Sequence, residues 1–423
     1  MHLLVLPVEL VVSIAENLGL ARDILSLTKT NRQLYHILRP ILYKFNVRQQ
    51  NSSALPWLAK RGNPEIAETF ICEYGADVNA IHEHDTPLIW AAKHGSISVV
   101  RVLLRAQNID INFRNHNRET ALWCAANRGH TAVVEELIGG KDIEIDCQDT
   151  AYGLSPLATA AVNGHAEIAR RLLSTGRADI NKQDSQGRTP TFLAMLFRNE
   201  ELVKDMLAEE TLDLSCRDNQ GRTLLSFAAL RGELSVVRIA LRKGAEVNVV
   251  DNRGETPLDK AIINGSTEVT EAILEELAKF SSSPGPHDSH GVANSLFIAA
   301  GRGHTKITRL LLDHGFDVNA RDRTRQTPLH VAVGTESSGV VMVLLGRQDI
   351  DVNAQDIEGI TPLHRAVQRR HVRIIESLLR MDQLDPNLTD HQGRTPLTWA
   401  VNKGDQNTVE LLLTRPDTNQ PRG

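Results

Sequence analysis

A short pattern of residues returns ten times along this chain of 423 residues, and the repetition limits the possible folds more than any other property of the sequence. Each copy opens on Thr, Ser or Asn and leads into an aliphatic run, and most copies pass through small residues to a Gly on the way. The copies start 33 to 38 residues apart, at Thr86, Thr120, Ser155, Thr189, Thr223, Thr256, Asn294, Thr327, Thr361 and Thr395. Such a period is typical of stacked units that bury their apolar faces against their neighbours. We therefore expect an array of repeats rather than two or three globular domains.

A single copy of the pattern predicts two helices and a turn. The hydroxyl of Thr86 can cap a helix that has Pro87 in its first turn, where a missing N–H costs no hydrogen bond. Gly95 ends this helix, and Val99 and Leu103 follow at helical spacing on a second helix. The segment G-A-D-V-N then turns the chain into an extended hairpin.

A weaker copy precedes the ten clear ones. Counting back 33 residues from Thr86 reaches Ser53, and the segment that follows keeps the Gly and the final D-V-N-A. Trp57, Trp90 and Trp399 all lie four residues after the start of their copy, which supports this alignment. The chain from Ser53 onward is therefore expected to hold eleven repeats.

The stretches TPLIWAAKHGSISVVRVLLRA and TPLHRAVQRRHVRIIESLLR resemble the ankyrin repeat. The resemblance covers nearly everything after residue 52 and implies an all-α-dominated repeat protein, an ankyrin solenoid with a helix-turn-helix plus a β-hairpin in each repeat. It implies a degenerate repeat at 53–82, followed by repeats over 83–280 that start near 83, 117, 152, 186, 220 and 253. A Ser/Pro/Gly-rich insert follows at 281–290. The last repeats occupy 291–423 and start near 291, 324, 358 and 392.

The segment FSSSPGPHDSHGVAN interrupts the repeat pattern after residue 279. Its Ser, Pro and Gly content predicts a loose loop. We interpret it as a division of the array into a block of seven repeats and a block of four. The alternative is a tolerated insertion without a role, because long surface loops cost little free energy.

The first 45 residues lack the period and predict three short helices. On a helical wheel, residues 7–18 carry a polar stripe and a much wider apolar surface. A unit of this size cannot bury so wide an apolar face by itself. Part of that face is therefore expected to contact the first repeat or another protein.

The N-terminal segment contains Leu6-Pro7-x-Glu9-Leu10, then Ile14, Leu18, Asp23-Ile24-Leu25 and Leu27, and in these residues it resembles the F-box. Its third helix has Leu34-Tyr35 where the family has a Trp, with Pro40 inside it. In that family the matching residues bind the Skp-type adaptor of cullin-RING ubiquitin ligases. The resemblance implies an F-box-like helical domain at 1–45, a linker at 46–52, and adaptor binding by Leu6, Pro7, Glu9, Leu10, Ile14, Leu18, Asp23, Leu25 and Leu27.

An F-box followed by ankyrin repeats is reminiscent of proteins of filamentous fungi. The combination implies a substrate receptor of an SCF-type ubiquitin ligase, in which the F-box binds the adaptor and the ankyrin groove binds the target protein. The alternative is an ankyrin scaffold or inhibitor with a helical N-terminal cap and no ubiquitin role.

The sequence indicates neither catalysis nor a cofactor. It has no HExxH, no glycine-rich phosphate loop after a strand, no GxSxG, and no cysteine spacing suited to zinc. The formal net charge is -5, and no aromatic residues alternate with the arginines, so we expect no nucleic acid partner. No apolar run is long enough to span a membrane, and the N-terminus lacks the basic residues of a secretory signal, so we expect a location in the cytoplasm, the nucleus or both. We also expect a monomer.

Two kinds of residues are candidates for binding the partner in the groove that the ankyrin resemblance implies. Basic residues recur at the hairpin tips and first-helix ends, which favours a partner with an acidic segment. Tyr152, in a tip lengthened by one residue, and Phe197, at a helix end, interrupt the pattern and suit an interface hot spot. Alternatively, Phe197 packs into the next repeat. The candidates are Arg114, Arg128, Tyr152, Arg188, Phe197, Arg217, Arg222, Arg231 and Arg253.

The repeated histidines predict a structural role. His130 and His165 lie at the same place in their copies, and His330 and His364 share another place, which indicates hydrogen bonds that recur in the repeat. The tip around His82, with its neighbouring acidic residues, is interpreted as polar and exposed rather than as a metal site.

Overall fold

The computed structural model describes residues 32–49, 51–280, 294–415 and 418, and over these ranges the chain is helical with short connecting turns. It forms two compact units, unit 1 (Met1–Leu212) and unit 2 (Asp213–Gly423). The adaptor-binding residues predicted between Leu6 and Leu27 lie outside the described residues.

Each unit is a stack of helix pairs, and unit 1 begins with one additional helix. In unit 1 the helices are α1 (Arg32–Gln49), α2 (Ala54–Arg61), α3 (Pro64–Cys72), α4 (Pro87–His94), α5 (Ile97–Leu104), α6 (Ala121–Arg128), α7 (Thr131–Ile138), α8 (Pro156–Asn163), α9 (Ala166–Ser174), α10 (Pro190–Leu196) and α11 (Glu200–Ala208). In unit 2 they are α12 (Leu224–Arg231), α13 (Leu234–Arg242), α14 (Pro257–Asn264), α15 (Thr267–Phe280), α16 (Asn294–Arg302), α17 (Thr305–Asp313), α18 (Pro328–Gly334), α19 (Ser338–Leu345), α20 (Pro362–Arg369), α21 (Val372–Leu379), α22 (Pro396–Asn402) and α23 (Gln406–Leu413).

The predicted helix caps are confirmed in most first helices. The Thr86 hydroxyl accepts a hydrogen bond from the backbone N–H of Ile89, and Ser155 does the same for Ala158 at 3.2 Å. These bonds satisfy amide groups that have no partner within the helix. Gly95 then ends α4 in the left-handed conformation, at φ 70°, which Gly adopts without a steric cost.

The glycines that end the first helices also allow neighbouring repeats to approach closely. A Cβ on Gly95 would lie 2.7 Å from Nδ1 of His130, and one on Gly129 would lie 2.7 Å from Cε1 of His165. The ring of His130 also reaches back with Nε2 to the carbonyl oxygen of Lys93, 3.2 Å away. The predicted structural role of these histidines is therefore confirmed for His130, whose ring covers the end of the preceding helix.

The hairpin expected in each repeat is a tight turn without extended strands in the described residues. Within the described ranges, β-type pairing outside turns is limited to one isolated bridge between His82 and Asp85. At the tip 184–188, the N–H of Asp184 donates to the carbonyl of Arg188 at 2.9 Å, which closes a tight turn. The Asp184 carboxylate binds the amides inside this turn, so few backbone groups remain to extend a ladder.

The insert does not divide the array, contrary to the sequence interpretation. The chain passes from unit 1 to unit 2 between Leu212 and Asp213, so the insert belongs to unit 2, where α16 packs on α14. The hydroxyl of Ser295 donates to Oδ1 of the buried Asp259 at 2.6 Å. Arg302 donates to the carbonyl of Ile263 at 3.0 Å. These contacts join the repeats on either side, so the stack continues within unit 2.

Helix α1 is packed against the first repeat. It runs to Gln49, past the predicted domain boundary at residue 45, so residues 46–49 are helical rather than linker. The ring of Tyr43 lies 4.4 Å from that of Phe70, between centroids. The Asn46 amide donates to the Ser53 hydroxyl at 3.0 Å, and its oxygen accepts the N–H of Ala54 at 3.1 Å. Asn46 therefore caps α2, a role that Ser53 itself does not perform.

We expect Gly95→Ala to destabilise unit 1 more than Gly75→Ala does. Both glycines have positive φ, at 70° and 64°, so each alanine costs about 1 kcal/mol of backbone strain. Only the Cβ at Gly95 collides with a neighbour, the His130 ring, whereas nothing lies within 4 Å of a Cβ at Gly75. Overpacking should add roughly 1 to 3 kcal/mol. Denaturant unfolding measures the difference, and equal losses in the two variants would contradict this account of the stacking.

Candidate protein-binding surface

Successive tip turns are joined to one another by backbone hydrogen bonds. In unit 1, the N–H of Ser185 donates to the carbonyl of Tyr152 at 2.8 Å. In unit 2, the N–H of Ile357 donates to Thr324, and that of His391 donates to Glu358. Neighbouring tips are therefore linked in unit 1 and, in unit 2, on either side of residues 281–293. The tips, together with the exposed C-terminal ends of the first helices, are here named the tip face.

A buried aspartate organises most of these tips. Oδ1 of Asp184 accepts the backbone N–H groups of Gln186 and Arg188, both at 2.8 Å. The same pattern recurs in unit 2, where the aspartates are Asp218, Asp251, Asp356 and Asp390. All five are less than 9% exposed. The tip backbone is thus held by a carboxylate, which also requires a cation or hydrogen-bond donors for its second oxygen.

Several candidate arginines provide that cation and are already paired. Arg188 Nε lies 2.8 Å from Oδ2 of Asp184, and Arg222 forms the same pair with Asp218. Arg114 Nη2 lies 2.6 Å from Oε2 of Glu144, in the segment that precedes the next tip. These three arginines stay partner-binding candidates, but each has a carboxylate of the chain within 2.8 Å that offsets its charge.

Two lysines are compensated in the same way. Lys93 Nζ lies 2.6 Å from Asp85 Oδ2 and 3.6 Å from Glu119 Oε2. Burial disfavours the charged form of Lys93, but the hydrogen bond to Asp85 and the nearby negative charges outweigh this and raise its pKa. In unit 2, Lys260 contacts both Asp251 and Glu255. The tip face therefore carries less unbalanced positive charge than its count of basic residues indicates.

The remaining candidate arginines are solvent-accessible. Arg128 in unit 1 is exposed at the end of α6. In unit 2, Arg217 and Arg253 are exposed and Arg231 is half-buried. The candidates thus divide between the two units: Arg114, Arg128, Tyr152, Arg188 and Phe197 belong to unit 1, and Arg217, Arg222, Arg231 and Arg253 belong to unit 2.

The two aromatic candidates are both exposed. Tyr152 is 62% exposed and Phe197 is 49% exposed, so Phe197 is not enclosed by a neighbouring repeat. The sequence between these two residues contributes a buried apolar cluster of Leu154, Ala158 and Leu193. The half-buried side chains of Val162 and Leu196 pack against this cluster. Tyr152, Leu154, Val162, Leu196 and Phe197 are here named the apolar strip.

The sequence analysis missed three members of the apolar strip. Val162 and Leu196 occupy the place seven residues after the start of their repeats, where Lys93 and Asn127 stand in the preceding two. Leu154 directly precedes its start residue, at the place that Arg188 takes one repeat later. Comparison at equal register would have found all three, because each replaces a polar or charged residue.

The histidines of unit 2 serve the packing between repeats. His330 and His364 lie in the first turns of α18 and α20, where Nδ1 is within hydrogen-bond distance of the Thr327 or Thr361 backbone N–H. Nε2 of His330 lies 3.0 Å from the Ile360 carbonyl of the next repeat. Burial lowers the pKa of both histidines, which favours the neutral ring that these bonds need. Their predicted structural role is confirmed.

The described residues contain neither a cluster of metal ligands nor a membrane-spanning helix. No group of three or more His, Cys, Asp or Glu side chains in these ranges could hold a metal ion. At the tip around His82, the rings of His84 and His116 lie 4.7 Å apart, between centroids. No helix in the same ranges has the length and apolarity needed to cross a bilayer.

Family comparison detects repeats of one type along the chain. The family model described as "Ankyrin repeats (3 copies)" matches residues 28–115, 55–149, 122–218, 191–284, 276–356 and 336–422. The first match begins within the segment that the sequence analysis assigned to an F-box-like domain. The matches together span well over half of the chain.

Individual relatives share shorter stretches. The chain is 34% identical over 110 residues to "Ankyrin repeat and SOCS box protein 3" of Homo sapiens, which covers 25% of this chain and 20% of the relative. It is 28% identical over 282 residues to "Ankyrin repeat domain-containing protein SAT10" of Stachybotrys chartarum, covering 62% of this chain and 15% of the relative. It is 30% identical over 125 residues to "NF-kappa-B inhibitor cactus" of Drosophila yakuba, covering 23% of this chain and 25% of the relative. The chain spans a quarter or less of each of these relatives.

We expect Asp390→Ala to destabilise unit 2 by about 2 kcal/mol at neutral pH, because two backbone amides, Arg394 and Trp399 lose their acceptor. Burial alone would raise the pKa of Asp390, but its hydrogen bonds from Arg394 and Trp399 outweigh burial and lower the pKa to about 2. The folded chain thus binds this proton less readily than the unfolded chain. The stabilisation should persist above about pH 4 and decline as the pH falls toward 2.

Denaturant unfolding of Asp390→Ala and the parent chain between pH 7 and pH 2 measures this effect. Asp382→Ala is the matched control, because Asp382 is exposed in the same repeat and loses the same charge. The control should change stability by less than about 0.5 kcal/mol. An equal effect of the two substitutions, or a stability difference for Asp390→Ala that does not narrow in acid, would contradict the role assigned to the tip carboxylate.

Proposed function

The chain belongs to the ankyrin-repeat family, and on that premise we propose that it is the substrate receptor of an SCF-type ubiquitin ligase. Ankyrin repeats mediate protein–protein interaction, so the chain binds a protein. In the proposal, the N-terminal segment binds a Skp-type adaptor and the tip face binds the target protein. Other subunits would transfer ubiquitin, and this chain would catalyse no reaction.

The observation that carries the binding role is the apolar strip. Tyr152 is exposed on a tip that is fixed by hydrogen bonds, and Phe197 is exposed next to Leu196, which packs on the buried apolar cluster. Water-exposed aromatic groups on a rigid support are the usual anchors of protein interfaces, because few degrees of freedom are lost when they are buried. Soluble proteins seldom expose such groups together without a partner.

The adaptor-binding part of the proposal rests on the F-box resemblance of residues 6–27. Its support from the described residues is that α1 follows this segment and packs against the first repeat through Tyr43 and Asn46. A helix attached in this way fixes the part of the chain that directly follows the proposed adaptor-binding segment on the repeats. The relative from Homo sapiens also joins ankyrin repeats to a second module, the SOCS box of its name.

A second candidate function is an inhibitor or scaffold in which the N-terminal segment is only a cap. The contacts of Tyr43 with Phe70 and of Asn46 with Ser53 also favour this function, since a terminal repeat needs its apolar face covered. The relative from Drosophila yakuba carries the name of an inhibitor. In both candidate functions we propose a location in the cytoplasm or the nucleus.

A pull-down experiment separates the two functions. We expect purified Skp-type adaptor to bind the full chain and to lose at least tenfold in affinity for the Leu6→Ala, Pro7→Ala double variant, because interface anchors typically cost more than about 1.4 kcal/mol when truncated. Leu3→Ala, Leu4→Ala is the matched control, since it removes similar apolar groups just before the motif.

Each outcome of the pull-down experiment supports a different function. Retained binding by the control variant with loss in the motif variant supports the substrate receptor. Absence of binding by a folded parent chain, checked by circular dichroism, would rule out the adaptor role and leave the capped scaffold. Equal losses in both variants would show that adaptor binding does not depend on the F-box-like motif.

A further inference from the structure

We propose that the apolar strip of unit 1 is the docking site for a protein segment that carries aromatic or aliphatic side chains flanked by Asp or Glu. The inference rests on the proposed function in one respect, that the tip face binds a protein, and it names the chemistry of that partner. It does not depend on whether the N-terminal segment binds an adaptor.

Tyr152 is held outward by a tip built unlike the others. The N–H of Asp149 donates to the carbonyl of Leu154, one residue further than the Asp184 to Arg188 closure of the next tip. Asp149 in turn accepts the backbone N–H groups of Tyr152 and Leu154, at 3.3 and 2.6 Å. The additional residue is therefore accommodated by hydrogen bonds rather than by a loose loop, and Tyr152 remains 62% exposed.

Phe197 is fixed at the end of α10. Its N–H donates to the carbonyl of Leu193 at 3.0 Å, and the chain then turns at Arg198, which has φ 63°. Most first helices of unit 1 end at a Gly in this conformation, so the turn here is made by a residue that pays a steric cost for it. The strained turn sets the end of the helix and leaves Phe197 49% exposed beside Leu196.

Leu154, Val162 and Leu196 connect the two aromatic residues. Val162 and Leu196 are half-buried and pack on the cluster that contains Leu154, so the strip has a supported floor with aromatic groups at its borders. Such a surface suits a few apolar side chains of an incoming segment, with well-packed anchors surrounded by polar groups.

The charges next to the strip favour acidic flanks in that segment. Arg128 and Arg198 are exposed, and neither forms an ion pair within the described residues. The carboxylates of the adjacent tips, Asp149 and Asp184, are both 7% exposed and accept backbone amides. Asp184 is further neutralised by Arg188. Glu200, two residues after Arg198, is exposed as well, so the exposed charges counted beside the strip are two arginines and one glutamate. Their net positive charge complements Asp or Glu in a partner and opposes Lys or Arg.

The test uses a phage-displayed library of random 16-residue peptides selected on the full chain. We expect the selected peptides to contain an aromatic or aliphatic pair with Asp or Glu nearby. Synthetic copies, measured by fluorescence anisotropy, should bind the Tyr152→Ser, Phe197→Ser variant about tenfold or more weakly than the parent chain. The affinity of the peptides for the parent chain should also fall as the salt concentration is raised, because the ion pairs between their acidic residues and the arginines of the chain are exposed to solvent.

Met342→Ser, Ile357→Ser is the matched control, because these two side chains are 59% and 52% exposed and lie in unit 2. This variant should bind the peptides as the parent chain does. Thermal unfolding of both variants should match that of the parent, since the four side chains are exposed. A further variant, Arg128→Glu, should bind the acidic peptides more weakly than the parent chain does. Its affinity for versions of the peptides with Asn and Gln in place of Asp and Glu should be unchanged.

Several results would overturn the proposal. Selected peptides that are basic, that lack acidic residues, or that bind the strip variant as well as the parent would each do so, as would a failure of any peptide to be enriched. A second copy of the chain is the other possible occupant. A parent that sediments as a dimer and a strip variant that sediments as a monomer would assign the strip to self-association instead.

Failure here is distinguishable from failure of the proposed function. The strip variant keeps the whole N-terminal segment, so it should still bind the Skp-type adaptor if the chain is a ligase receptor. Adaptor binding with no strip-dependent peptide would reject only this inference. Strip-dependent peptides without adaptor binding would reject only the ligase role.

Discussion

A buried carboxylate in most of the described tip turns is the interaction on which the surface of this protein depends. Asp184 shows the principle, because one oxygen holds the amides of Gln186 and Arg188 while the other binds the Arg188 guanidinium. A carboxylate buried in this way must be matched by donors or cations, or it would cost several kcal/mol. The turn, the tip and the charge balance of the surface are therefore set by the same few atoms.

This constraint determines what the tip face can recognise. Arginines that complete the tip turns cannot also serve as unbalanced charges for a ligand, so Arg188 and Arg222 give rigidity rather than attraction. Differences between repeats then come from the positions that the turn does not use. In unit 1 these positions carry Tyr152 and Phe197, and their exposure makes that part of the face chemically distinct from a uniformly polar array.

The sequence predicted what depends on neighbouring residues and missed what depends on distant ones. The cap by Thr86 and the helix end at Gly95 are local, so the repeat period located them correctly. The continuation of the stack across the insert depends on Ser295 reaching Asp259, a contact that spacing alone does not reveal. The cap of α2 by Asn46 is another contact from outside the repeat pattern. The pairing of Arg188 with Asp184 was visible in the sequence as a four-residue spacing, but only the structure shows that both groups meet.

Amide hydrogen exchange at the tips is the most direct test of the central claim, that buried carboxylates hold the tip face rigid. The backbone N–H groups of Gln186, Gln220 and Gln392 each donate to an aspartate carboxylate oxygen at 2.8 to 2.9 Å. We expect these amides to exchange as slowly as first-helix amides of the same repeats at neutral pH. Exchange at the rate of an unstructured peptide would show that the carboxylates do not fix the tips, and would contradict the account.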